Sequence, residues 1–348
     1  MQMKSDTKVP DGEASSNGFR WLVAVTCAAT FALIVVGGVV RATGSGDACP
    51  DWPRCRGELL PPLEPDILIE FSHRLLASVV GLLVLATAVV AWRSQRRAPV
   101  IVWGATAAVA LVGGQIILGG ATVLNDLPSN MVMAHLALAA TLLATLLLVA
   151  IASFAVEPAP TAERRRGAAS FRNLALVAAL ATFGLMLTGS YVSGSGAGLA
   201  FRDWPLFDGR LMPEGGRLAM IHATHRLTAA AVGLLLVYVT VRAWRGQRWQ
   251  RPVLLGALLA LTLYGAQVLV GAANVWTLLR PSASATHLAL AVAVWGTLVA
   301  VAALAHRAAQ TLPQRELAQA LPRRVDASAR PEGAVEPASA TLPAGRPS

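Results

Sequence analysis

His73 and His135 stand 62 residues apart, and the pair returns as His225 and His287 after an offset of 152 residues in both cases. The surrounding text repeats in the same register. Ser72-His73-Arg74-Leu75 answers Thr224-His225-Arg226-Leu227, and Asp51-Trp52-Pro53 answers Asp203-Trp204-Pro205. Gln115 and Gly119 answer Gln267 and Gly271. The chain therefore carries two copies of one unit, and whatever it folds into must place a matched pair of metal-capable side chains twice.

Apolar residues make up 55% of the chain and charged residues only 14%, so long stretches run without a charge. Eight apolar spans can be read, near 20–40, 70–92, 99–123, 131–154, 172–192, 218–241, 252–274 and 284–306. At about 1.5 Å per residue each covers the roughly 30 Å of a hydrocarbon core. Backbone groups in lipid must be satisfied within their own segment, which makes the spans helices. The alternation expected of barrel strands is absent. The fold class predicted is an all-α polytopic membrane protein with eight transmembrane helices in two tandem parallel four-helix bundles. Four spans per unit give both copies the same orientation, related by a pseudo-two-fold axis along the membrane normal. The organisation expected is a cytoplasmic N-terminus (1–19), an N-terminal bundle (20–156), a cytoplasmic linker (157–171), a C-terminal bundle (172–306) and a disordered cytoplasmic tail (307–348).

The net charge of +10 invites a nucleic-acid reading that the placement of the charges rejects. Lys4, Lys8 and Arg20 precede span one, and Arg93, Arg96 and Arg97 follow span two. Arg164 to Arg166 and Arg172 follow span four, Arg242, Arg245, Arg248 and Arg251 follow span six, and six arginines lie in the tail. With the N-terminus inside, these 20 charges share one side against seven on the other. The positive-inside rule then places both termini of a multi-pass membrane protein in the cytoplasm. The lipid bilayer is thus a partner and nucleic acid is not.

Cys27 falls inside span one and reads as a small core residue. Cys49 and Cys55 lie in the first outer loop, where a disulfide can persist and the intervening residues can close a ring. Two free thiols or a transient redox pair are the alternatives. The second copy has Phe201 and Phe207 at these places.

His73, His135, His225 and His287 each stand about one turn inside the outer end of their spans. Facing helices could bring each pair to opposite faces of one flat ligand, as a bis-imidazole haem site requires. A histidine that merely hydrogen-bonds across helices is the plainer reading for one such residue. Four at equal depth in two matched pairs favour function, because ionisable groups in membrane spans are costly. Zinc would need further ligands, and only Glu70 or His222 is near in sequence. Glu70 precedes His73 by one turn, and His222 takes its place in the second copy, so the two pockets differ chemically. Glu70 is either a carboxylate favoured at a helix N-terminus or a working group. Arg74 and Arg226 either snorkel to the interface or pair with haem propionates. Trp52 and Trp204 read as interfacial anchors or as lids over a ligand.

With these residues in hand, the chain resembles the haem A synthase family over about residues 20–306. The resemblance is carried by Glu70-x-x-His73-Arg74, His135, His225-Arg226, His287, the Cys49/Cys55 outer loop and the duplicated eight-span plan. It implies oxidation of a methyl group of haem O to the formyl group of haem A through a hydroxylated intermediate. It implies a haem b cofactor in the C-terminal half, with His225 and His287 on its iron and Arg226 beside it. It implies haem O in the N-terminal half, with His73 and His135 on the substrate iron, Arg74 nearby, Glu70 as the catalytic carboxylate, and Cys49 paired with Cys55. His222, one turn from His225, departs from the internal repeat and is a rival ligand. A haem O synthase, terminal oxidase assembly factors and an unidentified redox partner are the candidate proteins it would meet. A di-haem b electron-transfer cytochrome would use the same four histidines without chemistry on the ring, and a proton-coupled transporter is a third reading.

Overall fold

The described residues form eight long helices: α1 (Asn17–Thr43), α2 (Pro65–Ser94), α3 (Pro99–Leu124), α4 (Ser129–Ser153), α5 (Ala162–Gly194), α6 (Arg217–Gly246), α7 (Arg251–Trp276) and α8 (Pro281–Gln310). They are seen in a computed structural model that describes residues 17–58, 62–154 and 161–310. Each helix is long and apolar enough to cross a membrane, as a polytopic membrane protein requires. The segment 1–16, the first residues of the expected linker and the tail beyond 310 lie outside the described residues.

Local sequence explains where the helices start. Pro65, Pro99 and Pro281 open α2, α3 and α8, and Pro252 is second in α7. Proline fits there because the first N–H groups of a helix have no partner within it. Thr161 caps α5 by accepting the Arg164 N–H at 3.2 Å. α2 and α5 start markedly earlier than hydropathy suggests. α2 begins at Pro65, so His73 stands two turns inside it, where the sequence placed it about one turn in. α5 begins at Ala162 and takes Arg164, Arg165 and Arg166 from the expected linker into its first turns. Hydropathy misses the extension of α5 because its added turns carry Glu163 and Arg164 to Arg166, whereas α2 is lengthened by a first turn that opens with Pro65 and Asp66.

α1 packs on α2, α2 on α3, α3 on α4, and α4 returns to α1; α5 to α8 repeat the same circuit. The halves meet where α8 packs on α1 and α4, and where α4 packs on α5. α8 is accordingly the most enclosed span. Helices in lipid gain little from apolar burial against one another, so close approach at small residues does the packing. A Cβ on Gly104 would come within 2.7 Å of Val149, and one on Gly256 within 2.6 Å of Val301. These two contacts recur at the 152-residue offset of the histidines. Leu82, Ile117, Leu180 and Leu234 lie on outward faces with most of their surface uncovered. Such an expanse of apolar surface belongs to a lipid-facing protein.

Two loops close one end of the molecule, after α1 and after α5. Each opens with a single 3-10 turn, Ser45–Asp47 or Ala197–Leu199, entered through a left-handed glycine, Gly44 or Gly196. In the repeated Asp-Trp-Pro, Asp51 accepts the N–H groups of Arg56 and Gly57 at 2.5 and 2.8 Å. Asp203 accepts those of Asp208 and Gly209, both at 2.8 Å. The N–H groups of Gly57 and Arg56 hold the Asp51 carboxyl below the usual aspartate range, and those of Gly209 and Asp208 do so for Asp203. These caps contribute fully above the ordinary aspartate pKa and are lost only as pH falls through the lowered one.

Cys49 and Cys55 are joined by a disulfide across the first loop. At the matching places in the second loop, Phe201 and Phe207 pack edge to face with ring centroids 5.0 Å apart. One loop is stapled covalently and the other by aromatic packing. Replacing both Cys49 and Cys55 by Ser should lower the stability of the N-terminal half by about 2 kcal/mol, the order expected of a short closed loop. Thermal melts of the detergent-purified protein would show this as an earlier transition, and unchanged melting would contradict a stapling role.

Candidate haem-binding sites

Four histidine rings are seated in one way. The Cε1 atom of His73 on α2 lies 3.0 Å from where a Cβ would stand on Gly37 of α1. His135 on α4 meets Gly119 of α3, His225 on α6 meets Gly189 of α5, and His287 on α8 meets Gly271 of α7, each at 3.0 Å. A side chain at any of these glycines would occupy space the imidazole uses, so glycine there is a fitting requirement. Gly119 and Gly271 were visible as part of the repeat. Gly37 and Gly189 were not singled out from sequence, although they too are related by the 152-residue offset.

The structure brings the predicted ligands together in pairs. His135 lies within electrostatic reach of His73, and His287 of His225. Nδ1 is buried and without a hydrogen-bond partner in His73, His135 and His287. In His225 it lies 3.0 Å from the Thr188 hydroxyl. Among the described residues no three of His, Cys, Asp and Glu converge as a metal ion held by protein alone would require. Two imidazoles per site suit a metal whose remaining ligands come from a macrocycle. The glycine-backed rings, two to each half, therefore fit haem.

Glu70 is buried, and both its oxygens are engaged. Oε1 pairs with Arg74 Nη2 at 2.5 Å, and Oε2 accepts the Cys49 N–H at 2.8 Å. Arg74 Nη1 donates to the carbonyls of Asp51 and Arg54 at 2.9 and 2.7 Å, and Nη2 donates to that of Cys49 at 2.8 Å. Arg74 neither snorkels nor reaches into open space. It ties α2 to the disulfide loop, a role the sequence reading missed.

The second half rebuilds this clamp with different chemistry. Arg226 donates from Nε to His222 Nε2 at 3.1 Å and from Nη1 to the Leu206 carbonyl at 2.8 Å. Its guanidinium lies 5.6 Å from the ring centres of both Phe201 and Phe207. His222 packs on Phe201, with centroids 5.7 Å apart. Its Nε2 is thus taken by Arg226 and its ring by the loop. Arg226 Nη2 remains buried with no partner. Trp52 lies over Gly120, where a Cβ would come within 3.0 Å of its ring, and Trp204 meets Trp276 edge to face at 6.1 Å. Both tryptophans therefore lean on the helix that backs the second histidine of their half.

Residues 20–299, and again 216–326, match the family model COX15-CtaA, described as cytochrome oxidase assembly protein. A "Heme A synthase" of Symbiobacterium thermophilum is 31% identical over 293 residues, covering 80% of this chain and 93% of the relative. Those of Shouchella clausii and Geobacillus kaustophilus are 29% and 27% identical, covering 75% and 83% of this chain and 87% and 92% of each relative.

Substituting the backing glycines tests the seating. Gly189→Ala should displace His225 by a few tenths of an ångström and weaken haem retention about tenfold, a magnitude typical of disturbed ligand support. Gly189→Val should remove the low-spin haem signal of that half. Absorption spectra of the purified variants would decide, and wild-type spectra from both would refute the seating.

Proposed function

The chain belongs to the COX15-CtaA family of cytochrome oxidase assembly proteins, it is a membrane oxidoreductase of haem A biosynthesis, and we propose that its two halves divide that work. Haem O is the substrate, and one of its methyl groups is oxidised to a formyl group through a hydroxylated intermediate. Each half is a four-helix bundle, and the two share one orientation about an axis along the membrane normal. The repeated helix circuit and the recurring glycine contacts support that arrangement. The distribution of arginines supports cytoplasmic termini, with both sites toward the outer face.

The single observation that carries the division of labour is the pair Glu70 and His222, which occupy matching places in otherwise matching sites. The N-terminal half, with the carboxylate, receives haem O between His73 and His135. The C-terminal half keeps haem b between His225 and His287. When bound there, haem b would supply one-electron transfer, its potential set by its two imidazoles. Arg226 holds the C-terminal site from the loop side, and its free Nη2 is suited to a haem propionate. Arg74 serves the first loop, since all four hydrogens on its Nη atoms already have acceptors. His222 supports Arg226 and does not compete for the iron.

Glu70 combines two tasks. It fixes the loop above the substrate through Arg74 and the Cys49 N–H. Its remaining lone pairs can take up a proton released as the methyl group is oxidised, or stabilise positive charge developing there. Glu70→Gln keeps the shape and the bond from Cys49 while removing the charge. It should cut haem A formation in membranes by about 10²-fold or more, the range of a positioned acid–base group, with haem still bound. Wild-type haem A formation by this variant would end the catalytic reading of Glu70.

A further inference from the structure

The two halves differ one residue before the first backing glycine: Thr188-Gly189 on α5 stands where Val36-Gly37 stands on α1. The difference reaches the histidine. The Thr188 hydroxyl lies 2.7 Å from the Leu185 carbonyl and 3.0 Å from His225 Nδ1. A carbonyl can only accept, so the Thr188 proton points to Leu185 and a hydroxyl lone pair faces the ring. His225 must then carry its proton on Nδ1, which leaves the Nε2 lone pair free for a metal. In the first half the matching carbonyl is that of Leu33. The His73 ring approaches it, but without a hydroxyl at position 36 its Nδ1 makes no hydrogen bond of acceptable geometry. The His287 ring likewise approaches the Gln267 carbonyl without a hydrogen bond of acceptable geometry, so among the four histidines only His225 has Nδ1 hydrogen-bonded.

We infer that Thr188 is a positioning residue that fixes the tautomer and ring orientation of His225, so that the C-terminal site keeps its haem, whereas Val36 leaves His73 an unsupported ligand suited to a haem that must leave. A partner that accepts the outer N–H of a metal-bound imidazole raises its basicity and holds its plane, and losing one typically costs 10–100-fold in affinity. An enzyme with one resident haem and one substrate haem needs such a difference. The inference rests on the assignment of the resident haem to the C-terminal half, and the test separates the two.

The full-length protein, purified with its resident haem, would be compared as wild type, Thr188→Val, Thr188→Ser and His225→Ala. The readouts are haem retention against an apo-myoglobin acceptor and the redox midpoint of the retained low-spin haem. Thr188→Val should release haem at least tenfold faster and raise the midpoint, because the imidazole becomes a weaker donor. Thr188→Ser, which keeps the hydroxyl, should stay near wild type. Val36→Thr should slow the release of haem O from the N-terminal half. Wild-type retention and potential in Thr188→Val, together with loss of the low-spin haem in His225→Ala, would overturn the positioning role and leave the ligand assignment standing. Retention of that haem in His225→Ala would overturn the assignment and the inference with it.

Discussion

Everything about the sites depends on four places where a helix backbone comes close enough to an imidazole to exclude a side chain. An imidazole is wider and more polar than the aliphatic residues that line the spans, and in lipid it must be enclosed by protein. Gly37, Gly119, Gly189 and Gly271 supply that space, each on the helix paired with the one bearing its histidine. The ring is backed on its Cε1 side and its position is fixed by packing. The helix circuit within each half follows from the same need, since α1 with α2 and α3 with α4 must adjoin for the contacts to exist, as must α5 with α6 and α7 with α8.

On that common frame the halves diverge where chemistry would differ. Above the first site, a buried ion pair of Glu70 and Arg74 grips a disulfide-closed loop; above the second, Arg226 grips an aromatic pair and leans on a neutral imidazole. Each clamp uses one arginine in one register, yet only the first places a carboxylate beside the histidines. A buried charge needs a close partner, and Arg74 meets that need while holding the loop. The first pocket is therefore equipped to handle charge and protons, and the second to hold a ligand steady.

Much of this was legible in the sequence because a repeat makes each position its own control. Matching registers exposed the four histidines, the two Asp-Trp-Pro loops and the exchange of Glu70 for His222. Hydropathy located all eight spans. It failed at the starts of α2, which opens with Pro65 and Asp66, and of α5, where the Thr161 cap extends the helix through an arginine-rich stretch that no apolar window registers. Side-chain partners stayed hidden too. Arg74 read as a propionate ligand or a snorkelling group because its carbonyl acceptors belong to a loop 20 or more residues away. Thr188 passed unnoticed because its value depends on the direction of a hydroxyl proton, which only the distances to Leu185 and His225 define. Gly37 and Gly189 were within reach of the same register comparison, had glycines been aligned as closely as histidines.

The central claim is that one half processes haem while the other keeps it. The most direct measurement is haem extraction from this protein co-expressed with a haem O synthase in a host that makes no haem A, with products identified by chromatography and mass detection. The wild type should yield haem A or its hydroxylated precursor, and a variant lacking both His73 and His135 should keep its haem b while yielding neither. Haem B and unconverted haem O alone, from a well-expressed red wild-type protein, would contradict the account and point to a di-haem electron carrier.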